Sequence, residues 1–213
     1  FTDYSDADKP TLWKQLYDWL EQAERATFQK ESEAQVWREL ELAKRIRPEL
    51  DALQSKMASG NYETCFCHND VLAGNVMYDG KSNLQLIDVE YGGVNYRGFD
   101  IANHFNEFAG GPPNVTDPDY TLLPNETQQR TFLQAYLEAT IIKDKNDDID
   151  DQQHEAKLYD EVQFFMLINH LFWGLWAVNQ AASSNNNGSS EYDYMRYGVN
   201  RIRQYWIMKE KRI

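Results

Sequence analysis

Apolar positions recur every three and four residues along most of this chain, and the period shortens to that of strands in one stretch near residues 63 to 87. After a polar lead-in, Phe1 to Lys9, Pro10 suits the first turn of a helix whose apolar positions are Leu12, Trp13, Leu16, Tyr17 and Leu20. The next helix runs from about Glu31 to Met57, with a kink or interruption expected near Pro48. Further helices are expected at about Phe99 to Phe108, Glu126 to Ile141, Gln152 to Ala181 and Tyr192 to Glu210. Between them, Gly110 to Asn125 reads as a loop, Lys143 to Asp151 as a charged turn and Ser183 to Ser190 as a mobile polar tract. The most apolar stretch, Phe164 to Val178, is interrupted by Asn169, His170 and Gly174 and is shorter than the ~20 residues that span a bilayer. It predicts a buried helix, and the chain predicts no stable membrane insertion. Neither an internal repeat nor a second domain is visible in the 213 residues.

The strand-like stretch carries the chemistry. Glu63 to Cys67 reads as a strand that delivers Cys67-His68-Asn69-Asp70-Val71-Leu72-Ala73-Gly74-Asn75. Asn75 to Tyr78 and Asn83 to Ile87 read as two more strands around the turn Asp79-Gly80-Lys81-Ser82. Asp70 precedes Asn75 by five residues, the interval between base and metal-binding Asn in a kinase catalytic loop. An antiparallel hairpin brings Asn75 and Asp88 to the same open end, where one Mg²⁺ can touch both. Glu90 shares the face of Asp88 if the chain is still extended there, and would then join the metal shell. The alternative is a hairpin that ends by chance in an Asn and an Asp, both common turn residues.

Four segments together resemble the choline/ethanolamine kinase family: the His68-Asn69-Asp70 loop, Ile87-Asp88-Val89-Glu90-Tyr91, Asn95 to Phe105, and His170 to Trp176. The match runs from about residue 60 to about 206. The loop alone is shared with aminoglycoside phosphotransferases. Asn106 to Gly110, Asp119 to Leu122 and Gln134 to Ala139 look closer to the ethanolamine kinase branch. The resemblance implies an α+β, mostly helical fold: the C-terminal lobe of a protein-kinase-like unit with short catalytic hairpins. Residues 1–59 form its helical lead-in, 60–95 its catalytic loop and metal-binding hairpin, and 96–213 its helical amine-binding part. Neither a Gly-rich loop nor a strand-borne Lys precedes Gly60, so the N-terminal nucleotide lobe reads as missing. A chain without it is expected to bind ATP poorly and to turn over little.

The implied reaction is ATP- and Mg²⁺-dependent phosphorylation of ethanolamine or choline, the first step of the corresponding phospholipid synthesis. Asp70 is the expected base, and Asn75 and Asp88 the expected holders of MgATP. Glu107, Trp173, Trp176, Tyr197, Tyr192 and Tyr91 match pocket positions. Trp173 and Trp176 share one helix face, and such aromatics attract a cation. A carboxylate at Glu107 helps a bare ammonium more than a methylated one, because it accepts N–H bonds. The family's additional pocket Tyr beyond Glu107 is replaced by Gly110, Gly111 and Pro112, so the choice between amines stays open. His68, Asn69 and Asp100 are read as structural supports of the loop and Arg97 as a brace for it. His104 and His170 read as core histidines. The alternatives are another small-molecule kinase of the aminoglycoside phosphotransferase class, or a truncated amine-binding lobe.

Net charge alters the list of partners. At −13 the chain disfavours nucleic acid and anionic membranes and attracts a small cation such as an amino alcohol. A homodimer is left open. Cys65 and Cys67 lie on one strand face without a His or Cys cluster, which predicts two reduced, buried thiols and a cytoplasmic setting. Three Asn-X-Ser/Thr sequons are expected by chance in so Asn-rich a chain.

Overall fold

A computed structural model describes residues 9–110, 116–140, 151–187 and 192–211. The spine is α6 (Asp151–Asn187), against which α1 (Leu12–Glu24), α4 (Arg97–Glu107), α5 (Glu126–Thr140) and α7 (Tyr194–Glu210) pack. Its middle has no polar face: Leu158, Val162, Phe165, Ile168, Leu171, Leu175 and Val178 are fully buried. A helix apolar on all sides belongs inside. α1 turns Leu12, Leu16, Leu20 and Ala23 into the same core, as their spacing predicts.

The helix expected over residues 31–57 is two helices, α2 (Glu31–Leu40) and α3 (Leu42–Ala58). The interruption falls at Glu41, which is left-handed at φ 47°, and Pro48 lies inside α3. The reason is a change of packing. No α2 residue is buried, whereas Leu42 opens a new inward stripe continued by Ile46, Leu50, Leu53 and Met57.

Two antiparallel pairs supply the strands. β1 (Thr64–Cys67) pairs with β4 (Gly93–Tyr96), Thr64 opposite Tyr96 and Cys67 opposite Gly93. β2 (Val76–Tyr78) and β3 (Leu84–Leu86) form the expected hairpin, Val76 opposite Leu86. Its turn is fixed by Asp79, whose Oδ1 accepts from the backbone N–H groups of Lys81, Ser82 and Asn83, and by Gly80 at φ +76°. β4 escapes the alternation rule because its most buried residue is polar, Asn95.

α4 follows β4 without a linker. α6 runs on over Ser183 to Asn187, further than its apolar pattern indicates. The rest of that tract, most of the Lys143 to Asp151 segment, residues 111–115 of the Gly110 to Asn125 loop, and the first eight residues lie outside the described residues. α6 and α7 approach closely at two glycines. A Cβ on Gly198 would stand 3.0 Å from the Gly174 carbonyl oxygen, and one on Gly174 would stand 2.8 Å from Ile202 Cγ1. Among the described residues no helix is long and apolar enough to cross a membrane.

Candidate active site

The loop after β1 is held from below by α4. Asp100 accepts the backbone N–H of His68 on Oδ2 (3.0 Å) and that of Asn69 on Oδ1 (2.7 Å). Burial pushes the Asp100 carboxyl up, and the two amide bonds pull it back. Asn69 takes a left-handed backbone, φ 65°, which Asn tolerates better than most residues. Its side chain donates to the Tyr91 carbonyl (2.8 Å) and accepts from Asn95 Nδ2 (2.8 Å). His68 Nδ1 accepts the Asp70 N–H at 3.3 Å, which leaves Nε2 as the donor to the Ile87 carbonyl at 2.9 Å. His68 thus ties the loop to the end of the hairpin.

Asp70 emerges half-buried from this frame. Burial and the nearby charge of Glu107 push its carboxyl up to about 6, with Asp88 adding to the rise; His68 and an Asn75 hydrogen bond oppose it. Asn75 Nδ2 donates to the Asp70 carbonyl (2.9 Å) and to Asp70 Oδ2 (3.2 Å), which leaves Asn75 Oδ1 free of that pair. The Ile87 N–H donates to the Asn75 carbonyl (3.0 Å), extending the hairpin by one rung to the threshold of Asp88. Asp88 is exposed and left-handed at φ 60°. An amide oxygen and a carboxylate suit a hard cation such as Mg²⁺. Among the described residues no three His, Cys, Asp or Glu side chains gather into a metal cage. Magnesium commonly takes one or two protein ligands and completes its shell with phosphate and water.

The chain does not stay extended beyond Asp88. Residues 90 and 91 form a turn, so the premise that placed Glu90 on the face of Asp88 fails. Glu90 is exposed, and its charge acts on Tyr91. Arg97 does not brace the acidic loop either. It pairs with Glu63 at 2.5 Å, clamping the start of α4 to the segment before β1. Nor are both cysteines buried: Cys65 is exposed and Cys67 buried, their sulfurs 3.7 Å apart. The alternation of a strand seated against the core on one side only does not distinguish its end from its middle.

A row of aromatic rings runs from the loop to α7. Tyr91 meets Trp173 at 5.4 Å, Trp173 meets Trp176 at 5.4 Å and Trp176 meets Tyr194 at 5.6 Å, all edge to face. Tyr192 continues the row to Tyr194 and Tyr197. Burial pushes the Tyr91 hydroxyl up, and the neighbouring Trp176 side chain pulls it back. Trp173 and Tyr197 are buried, whereas Tyr91, Trp176 and Tyr192 are half-buried. Glu107, at the end of α4, is near enough to Asp70 to shift its titration and pairs with Arg201 at 3.3 Å. Of the two histidines read as core, His104 reaches the Val71 carbonyl (3.1 Å) and His170 is fully buried against Tyr120.

Arg201 and Asn169 lie outside the motifs, and Asn103 lies within one but was given no role. The three form a buried network behind the aromatic row. Tyr120 stands close enough to Glu107 and Arg201 to feel both charges, and among the described residues its buried hydroxyl has no hydrogen-bond partner. A phenol therefore reaches the Glu107 region from further along the chain than Gly110 to Pro112. A cavity of about 870 Å³ lies elsewhere, between the α1–α2 connection and the start of α7; it includes Tyr192 and Tyr194 but not Asp70, Asp88 or Glu107.

The choline/ethanolamine kinase family profile matches residues 3–206. The chain is 40% identical to ethanolamine kinase 1 of Mus musculus over 166 residues, 77% of this chain and 43% of that protein. It is 36% identical to a probable choline kinase 1 of Arabidopsis thaliana over 203 residues, 93% of this chain and 54% of that protein. Its structure resembles the Plasmodium vivax ethanolamine kinase with a TM-score of 0.79 at 25% identity, covering 98% of this chain and 52% of that one. The chain spans about half the length of the curated relatives it matches. With the matched residues taking in the Asp70 loop, the hairpin and the aromatic row alike, the chain belongs to the choline/ethanolamine kinase family.

Proposed function

We propose that this chain carries the catalytic loop and amine pocket of a cytoplasmic kinase that transfers the γ-phosphoryl group of ATP to the hydroxyl of ethanolamine, with choline as the alternative acceptor. The reading rests above all on one juxtaposition. Asn75 bonds to Asp70 at 3.2 Å, the Ile87 rung on Asn75 brings Asp88 to the same end, and Tyr91, which opens the aromatic row against Trp173, lies within the field of both acids, so the base, the acidic end of the hairpin and the start of the aromatic row adjoin one space.

Asp70 accepts the hydrogen bond of the acceptor hydroxyl and takes its proton, a role worth about 10²–10⁴ in rate. Asn75 Oδ1 and Asp88 would hold the magnesium ion of MgATP, whose charge neutralises the phosphates. Leu84, Leu86 and Ile87, all exposed on or beside β3, offer a nucleotide base an apolar seat. At the other end Trp176 and Tyr192 face the ammonium, each good cation–ring contact adding about 0.5–2 kcal/mol. Glu107 accepts its N–H bonds. The product, a phospho-amino alcohol, is the one that opens phosphatidylethanolamine or phosphatidylcholine synthesis.

Calorimetric titration with ethanolamine and choline tests the amine site on this chain directly. Phosphoethanolamine formation from MgATP tests the reaction, measured on the chain and on any longer protein of which it is a segment. Asp70→Ala is expected to keep amine binding and to lower product formation by about 10²–10⁴-fold. Undiminished turnover in that variant removes Asp70 from its role. Indifference to both amines assigns the pocket to another acceptor, and amine binding without product leaves a binding lobe.

A further inference from the structure

Arg201 is 1% exposed, stands one turn beyond Tyr197 on α7 and belongs to none of the kinase motifs. Nη1 donates to the Tyr197 hydroxyl at 2.8 Å and reaches Glu107 Oε1 at 3.3 Å. Nη2 donates to Asn169 Oδ1 at 2.6 Å. The Asn169 amide donates in turn to Asn103 Oδ1 (2.8 Å), which also accepts the Trp173 indole N–H (2.6 Å). One guanidinium therefore fixes a carboxylate and a phenol directly and an indole through two amides.

A cation buried behind an ammonium pocket is a paradox unless it has a task. Its own charge repels the ligand, and a buried charge is tolerated only when paired. Glu107 is its carboxylate; the other titratable groups within its field are the phenols of Tyr197, Tyr120 and Tyr192. Pairing from behind offsets part of the Glu107 charge, so its undirected pull on any cation is weakened. What remains is directional. Among the described residues no protein group hydrogen-bonds to Glu107 Oε2, and Gly110 keeps that oxygen open, since a Cβ there would come to 3.0 Å from it.

We infer that Arg201 is a positioning residue that sets the pocket's preference among ammonium ions: it weakens the undirected attraction of Glu107 and orients the free oxygen, so that a primary ammonium, which can donate N–H bonds, is favoured over a quaternary one. The inference rests on the amine-binding reading of Glu107 and the aromatic row. It adds the device by which that site discriminates.

The test compares ethanolamine and choline affinities by calorimetry in the wild-type chain, Arg201→Met and Arg201→Lys. Arg201→Met is expected to lower the ethanolamine-to-choline affinity ratio by about tenfold, the weight of one charge-assisted hydrogen bond. Arg201→Lys restores much of that ratio, which repair of packing alone would not do. If Arg201→Met fails to fold, Arg201→Gln, which keeps hydrogen-bonding groups at this position without the charge, takes its place with the same expected fall in the ratio. An unchanged ratio in either variant overturns the inference while leaving the kinase reading in place. Failure of the wild-type chain to bind either amine overturns that reading and the inference with it.

Discussion

Asp70 shows how a residue acquires its chemistry from its neighbours. An ordinary aspartate is fully ionised well below neutrality and is a feeble base; here burial and the Glu107 charge lift it to about 6. A raised carboxyl is active when deprotonated, so kcat/KM for the amine should climb as pH rises through about 6 and level off above it. Glu107→Gln removes one cause of the rise, and its acid limb should move to lower pH. A pH–rate profile of the two proteins checks the sign. The spacing from Asp70 to Asn75 was legible because loop chemistry is local. Arg201 was not, since a lone arginine on an amphipathic helix carries no signal of the partners that reach it from α4 and α6. The Glu90 premise failed for a related reason: the left-handed turn at Asp88 depends on tertiary anchoring by His68, which the strand pattern does not record.

At the scale of elements, the hairpin and five helices follow directly from period and turn residues. β4 and the break at Glu41 do not. β4 exists because Asn95 is needed inside, against Asn69, and the break exists because Leu42 must face a core that α2 does not reach. The crossing of α6 and α7 is the junction on which the amine pocket depends, as it carries Trp173 and Trp176 on one side and Tyr197 and Arg201 on the other. Two glycines set its spacing. Gly198→Ala presses a methyl to 3.0 Å from the Gly174 carbonyl, and overpacking of this kind costs about 1–3 kcal/mol. The expected result is a Tm lower by roughly 2–10 °C with a larger loss of amine affinity than of helix content, read by circular dichroism and calorimetry.

The molecule as a whole titrates as well as folds. Glu161 on α6 is buried beneath Gly98, with Arg97, Glu63 and Lys157 in its field, and burial lifts its carboxyl to about 7. Its folded pKa exceeds its unfolded value, so the stability it contributes is fully present below about 4.5 and is lost as pH rises through 7. Asp70 adds the same sign over a slightly lower window. The urea midpoint should therefore fall between pH 5 and pH 7.5, each group contributing a slope of up to ~1.4 kcal/mol per pH unit within its window. Glu161→Gln should flatten the upper part of that slope. A single buried acid on a long helix is visible in the sequence, but its titration is set by the glycine opposite, where a Cβ would come within 2.6 Å of Oε1.

The β2–β3 hairpin has a consequence for the handling of this chain in solution. Met77, Tyr78, Leu84 and Leu86 are all exposed on a sheet of only two strands, and Phe66 is exposed on β1 of the other two-stranded sheet. Unprotected edges and greasy surface together invite strand-to-strand stacking between molecules. The −13 charge opposes such encounters by mutual repulsion, a defence that added salt weakens. Concentrating the chain in high-salt buffer should therefore produce turbidity before any helix melts.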